Sequence, residues 1–113
     1  MYIGIPMRYT LVMTTREGDK MTGYRFVASW DVENAPKVGD RLPSSYVWDG
    51  DKQTDEKLDG TCAFETRAAV EKYAENSHGR GWIVEIEGEH AGSGDLAYEV
   101  IIADAVVTAV ENW

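Results

Sequence analysis

The sequence predicts an α+β domain, a twisted, mainly antiparallel sheet of about five to seven short strands with one main helix over residues 67–76. Three observations lead to this. Short runs of β-branched and aromatic residues alternate with turns bearing Gly, Asn and Asp. One stretch alone, after Thr66, places its apolar residues at helical spacing. The chain has 113 residues, 43% hydrophobic and 27% charged, which matches one globular unit over 1–113 that hides about two-thirds of its unfolded-chain surface.

The elements follow in order. Arg8–Thr14 is rich in strand formers and ends at the polar turn 16–20, and Tyr24–Ala28 resumes the same character, so the two predict a hairpin. Residues 33–40 connect, with Pro36 limiting any helix before it. Residues 49–60 carry acids, lysines and two glycines but a single aliphatic side chain, which predicts an exposed, mobile loop. Thr61–Phe64 reads as a short strand. Thr66 is the expected N-cap of the helix, because its hydroxyl can accept from an early helical amide. Ala69, Val70, Tyr73 and Ala74 then form one apolar stripe, and Asn76–Gly79 stops the helix. In Trp82–Gly88, period two puts Trp82, Val84 and Ile86 on a buried face and Ile83, Glu85 and Glu87 on a half-wet one. Residues 91–95 are turn chemistry, and the apolar stretch 100–110, interrupted at Asp104, predicts two short strands. Phe26, Phe64, Val70, Tyr73, Trp82, Val84, Ile86, Val100 and Ile102 are the expected core, sharing one interior.

Charge narrows the function classes. The net charge is −9, and it is uneven: residues 1–56 hold 7 basic and 9 acidic side chains, residues 57–113 hold 4 and 11. Direct nucleic-acid binding is not expected, since such binding draws on cations that displace counterions. A protein partner with a basic surface is, and dispersed acids also serve solubility alone. No apolar run reaches the roughly 20 residues of a membrane-spanning helix, so no membrane association is expected. Met1–Arg8 lacks the charge and apolar core of a signal peptide, and the single Cys62 permits no internal disulfide. A cytoplasmic location is the resulting expectation.

Few residue patterns point to chemistry. The glycines at 79, 81, 88, 92 and 94 lack the strand-before, helix-after spacing of a phosphate loop. His78 and His90 have no third ligand at metal spacing, so no metal site is expected. Cys62 beside Phe64 reads as a small hydrophobe. Glu85 and Glu87 share a strand face. Glu99 stands apart, next to Tyr98 and a run of β-branched residues. Desolvation there could give its carboxylate a role, and period two equally allows it to point outward.

Taken in order, Tyr24-Arg25, Gly39-Asp40, Thr61–Thr66, Ala69–Ala74, Trp82–Glu87 and Glu99-Val100-Ile101-Ile102 resemble the stages of a shortened ADP-ribosyltransferase fold. The resemblance covers about residues 24–110. It implies a domain that binds a nucleotide or a nicotinamide dinucleotide, with NAD as candidate cofactor, and leaves catalysis open. It implies that Arg25, with Tyr24 beside it, contacts the phosphates and that a hydroxyl near Thr61 orders the site. Glu99 would bind the ribose and stabilise an oxocarbenium-like transition state. The chain departs from the family pattern at Ala97 and at Thr61-Cys62-Ala63. The alternative is an acidic inhibitor that blocks a basic site on a partner, of the kind a phage or mobile element encodes.

Overall fold

A computed structural model describes residues 18–77, 79–94, 96 and 98–113. The expected strand Arg8–Thr14, His78 and Ala97 lie outside the described residues. In chain order the elements are β1 (Lys20–Ala28), a 3-10 turn (Ser29–Asp31), β2 (Tyr46–Asp49), β3 (Lys52–Lys57), β4 (Thr61–Phe64), α1 (Arg67–Glu75), β5 (Gly81–Ser93) and β6 (Glu99–Asn112). Strands β1, β4, β6 and β5 close into a small antiparallel barrel in that order, and β2–β3 form a separate two-stranded ribbon. The described residues are therefore dominated by antiparallel strands, with one helix among them packed outside the barrel.

Closing so few strands leaves a narrow lumen, which dictates small side chains wherever large ones already project inward. Val84, Ile86, Val100, Ile102 and Val107 fill it together with Ala63 and Ala105. Gly23 completes the fit, since a methyl group there would sit 2.7 Å from Ile102 Cδ1. Curvature comes from irregular register between β5 and β6. Glu87 pairs with Val106 while Glu89 pairs with Ala103, so Asp104 and Ala105 together oppose Gly88. Such a bulge bends the strand and increases its twist, as a tight barrel requires. Asp104 occupies the left-handed region, φ 53, a conformation that short polar side chains tolerate better than most.

Helix α1 covers the outer face of the barrel. The Thr66 hydroxyl accepts from the Ala69 amide at 3.1 Å, capping the first turn as the sequence predicts. Val70 and Ala74 are buried against Phe64 and Ile83, with Tyr24, Phe26 and Ala69 around them. Arg67 pairs with Glu71 at 3.2 Å and also with Glu111, which ties the helix start to the end of β6.

Five expectations are corrected by this architecture. The apolar residues do not share one interior: Val84, Ile86, Val100 and Ile102 line the lumen, whereas Phe64 and Val70 belong to the layer beneath the helix. Ile83, placed on a half-wet face by its period, is 2% exposed because α1 covers that face. Tyr73 remains 45% exposed while its ring packs on Phe64 at 5.2 Å and Phe26 at 6.4 Å. Residues 100–110 form one strand rather than two, because the break at Asp104 is a bulge that the β5 partner accommodates. Within 49–60, expected as a loop, Lys52–Lys57 is a strand paired with β2, exposed except for the half-buried Thr54. No helix among the described residues is long and apolar enough to cross a membrane.

Candidate functional site

Two surface features bring chemistry-bearing residues together, and the first contains Arg25 and Glu99. Strands β1 and β4 meet at a single register pair, Tyr24 opposite Phe64. Beyond that pair Arg25 bridges the strands: its Nη1 donates to the Cys62 carbonyl at 2.7 Å. The guanidinium thereby does the work of a missing ladder bond. A cleft of about 120 Å³ lies beside it, lined by Arg25, Phe26, Cys62, Phe64, Tyr73, Leu96 and Glu99.

Glu99 is half-buried at the start of β6, and most of its polar atoms hold the β5–β6 turn. Its N–H donates to the Leu96 carbonyl at 3.1 Å, and its carbonyl accepts from Gly94 at 2.9 Å. Oε1 accepts from the Leu96 amide at 3.3 Å. A side chain at residue 94 would collide with this carboxylate, so glycine lets Glu99 fold back over its own turn. The neighbouring Tyr98 is left-handed, φ 62, and its carbonyl accepts from the Glu65 amide at 2.6 Å. That bond anchors the turn to the end of β4.

The structure thus brings Arg25 and Glu99 to one cleft, as the resemblance requires, but not the other two candidates. Tyr24 packs beneath the helix with Phe64, Val70 and Ile83. Thr61 is 2% exposed on the lumen side, opposite Ile102, and its hydroxyl donates to the Pro43 carbonyl at 2.7 Å. Its role is to pin the segment before β2 to the barrel. The cleft is also small: sites for drug-sized ligands run to about 300–1,000 Å³. A dinucleotide does not fit it with the β5–β6 turn in this position.

The second feature is wider. On the outer face of β1, β5 and β6, beyond the reach of α1, a groove of about 360 Å³ is lined by Lys20, Thr22, Glu87, Glu89, Asp104 and Thr108, with Met21, Gly88 and Val106. Register explains the grouping. Lys20 lies opposite Glu89, Thr22 opposite Glu87, and Glu87 opposite Val106, so these side chains share one face. The bulge adds Asp104 to the same surface. Glu85, next along the face, accepts from the Thr108 hydroxyl at 2.9 Å. Among the described residues the ion pairs are those of Arg67 with Glu71 and Glu111, so Glu87, Glu89 and Asp104 face the groove without a bonded cation.

No protein-family model, curated protein or solved structure matches this chain. Among the described residues no group of three or more His, Cys, Asp or Glu is arranged to hold a metal ion. His90, opposite Ile102 in the ladder, keeps its Nδ1 buried and without a hydrogen-bond partner among the described residues.

Sequence reasoning found Glu85, Glu87 and the alternation behind them, but missed Lys20, Thr22, Asp104 and Val106 as their neighbours. The signal for Asp104 was present, a lone acid interrupting an apolar run. Its meaning depends on which residue of β5 stands opposite, and only the paired ladder supplies that.

Proposed function

We propose that this chain is an acidic protein-binding module whose groove on β1, β5 and β6 receives a basic surface of a partner protein. One observation carries the reading: Glu87, Glu89 and Asp104 line a single open groove in which Lys20 is the one basic side chain among the described residues. Carboxylates arranged in this way set up a local negative potential that steers and orients a cationic partner. The overall charge of −9 adds attraction at longer range and opposes binding to nucleic acid.

The test is a titration with a nona-lysine peptide across an ionic-strength series. Binding should weaken steeply between about 50 and 300 mM salt, where the Debye length contracts through several ångströms. The triple change Glu85→Lys, Glu87→Lys, Glu89→Lys should abolish it. The control Asp31→Lys, Glu33→Lys, Glu75→Lys makes the same change in net charge at exposed positions away from the groove, and should weaken binding far less. Equal losses in the two variants would mean that bulk charge alone attracts the peptide, and the groove reading would fail.

A second reading, nucleotide binding of the ADP-ribosyltransferase type, is supported by one observation, the shared cleft of Arg25 and Glu99. It requires the β5–β6 turn to swing away from the cleft, breaking the Glu99–Leu96 contacts. Titration with NAD should then shift the backbone resonances of Arg25, Leu96 and Glu99 together, and Glu99→Gln should suppress any glycohydrolase activity. Unmoved resonances at millimolar NAD would exclude this reading.

A further inference from the structure

An aspartate or asparagine followed by glycine or serine can react with its own main chain, because a small residue leaves its nitrogen open to the preceding side chain. Three such pairs occur in the sequence: Asp49-Gly50, Asp59-Gly60 and Asn76-Ser77. Reaction requires the nitrogen to reach Cγ of the residue before it, so the backbone must leave its folded conformation locally. What holds the backbone therefore decides which pair reacts, and the fold separates the three.

Asn76 ends α1, where both reacting groups are held. Its Nδ2 donates to the Lys72 carbonyl at 3.1 Å, and the Ser77 amide donates to the Ala74 carbonyl at 3.1 Å. Gly60 is buried against β6: a Cβ there would collide with the Ile102 carbonyl, and its own carbonyl accepts from the Ser45 amide at 2.9 Å. Gly50 has neither constraint. It is exposed at the tip of the β2–β3 ribbon, φ 65, and a Cβ there would meet nothing within 4 Å. Its N–H donates no backbone hydrogen bond among the described residues. Asp49, also exposed, is held by the last pair of the ribbon, opposite Lys52. No strand residue of the ribbon is buried, and a two-stranded ribbon alone is marginal in water, so that pair opens at small cost.

We propose that Asp49-Gly50 is a site of spontaneous isoaspartate formation, and that the modification loosens the ribbon. The Gly50 nitrogen attacks Asp49 Cγ and the N–Cγ bond forms. The hydroxyl of the carboxylic acid leaves as water with the amide hydrogen, giving a cyclic imide. Water then adds at the main-chain carbonyl carbon of Asp49, and the bond from that carbon to the Gly50 nitrogen breaks. The chain now runs through Cγ, one carbon longer, and the former main-chain carbonyl has become the carboxylate. Composition and charge are unchanged, and water is the sole co-reactant. The added carbon lies at the closing end of the ladder, so it displaces the pair Asp49–Lys52 and disturbs Trp48–Gln53 behind it. This site is separate from the groove on β1, β5 and β6 and stands or falls independently of it.

The experiment ages the full chain at neutral pH and maps it with a protease that cleaves before aspartate but not before isoaspartate. Total isoaspartate is counted by methyl transfer from an isoaspartate O-methyltransferase. In the folded protein, isoaspartate should accumulate at residue 49 at least about tenfold faster than at residue 59 or at Asn76, because only the first opens without disturbing the barrel or the helix. In urea, residues 49 and 59 should react at comparable rates, which shows that the fold makes the difference. Asp49→Glu, whose longer side chain disfavours the imide, should remove most of the methyl label from the folded protein, and Asp59→Glu should retain it. The isoaspartyl form, separated from the parent, should exchange its β3 amides faster while Ile83–Glu87 keep their protection. The inference is overturned if residue 59 keeps pace with residue 49 in the folded protein, or if the label persists in Asp49→Glu. It is equally overturned if the isoaspartyl form protects β3 as well as the parent does.

Discussion

Truncating Ile86 to alanine tests the barrel interior most directly. Ile86 is fully buried in the lumen among Val84, Ile102 and Val107, and lies opposite Gly23 on β1. The change deletes three carbons, worth about 0.8 kcal/mol each in transfer free energy, or roughly 2.4 kcal/mol together. A cavity term adds to this, because the surroundings relax only in part, and measured losses of this type run to about 2–5 kcal/mol. The barrel places Ile86 toward the upper end. Collapse around the void would need β1, β5 and β6 to move inward together, which their shared ladder opposes. The expected loss is therefore about 3–5 kcal/mol, against about 1 kcal/mol for Ile86→Val. Urea unfolding followed by tryptophan fluorescence measures it, with an unchanged slope showing that the transition itself is unaltered. Ile83→Ala, beneath α1, is the companion measurement: the helix can settle onto the smaller side chain, so its loss should be about 2–3 kcal/mol. An Ile86→Ala loss below 1 kcal/mol, or one smaller than that of Ile83→Ala, would refute the closed lumen.

Two further outcomes are expected. Asp104→Val should cost about 1–2 kcal/mol, because a β-branched residue is strained at the left-handed bulge, whereas Asp104→Gly should be nearly neutral; equal effects in thermal melts would show that the bulge conformation is not maintained. Amides of β3 should exchange with deuterium at least about a hundredfold faster than those of Ile83–Glu87, since the exposed ribbon opens without disturbing the barrel, and protection of β3 equal to that of β5 would mean the ribbon is stabilised by contacts beyond its own ladder.

Local chemistry made much of this fold legible. The helix was readable because its signals lie within a few residues: a hydroxyl at Thr66, a stripe at helical period and a stop at Asn76. Strand segments at Tyr24–Ala28, Thr61–Phe64 and Trp82–Gly88 were readable for the same reason, as period two needs only near neighbours. Surface charge was set by composition alone. Arg25 and Glu99 could be paired only through a family resemblance, and the structure brings them to one cleft while binding each into local backbone.

The tertiary structure decided what covers each face and what stands opposite each residue. Alternation says that Ile83 and Glu85 share a side of β5. It does not say that α1 lies over the first, with Phe26 opposite it, and that open groove begins just past the second, at Glu87. The lone Asp104 reads as a break until Gly88 is found across from it, where the same residue becomes the bulge that keeps β6 continuous. The hydrophilic run 49–60 reads as loop because no apolar period marks it, yet backbone pairing alone makes part of it a strand. In each case the deciding interaction is one that side-chain period does not carry, a helix laid over one face or a hydrogen-bonded register with another strand. Side-chain pattern sets the faces of a strand, and only closure of the sheet fixes its partners.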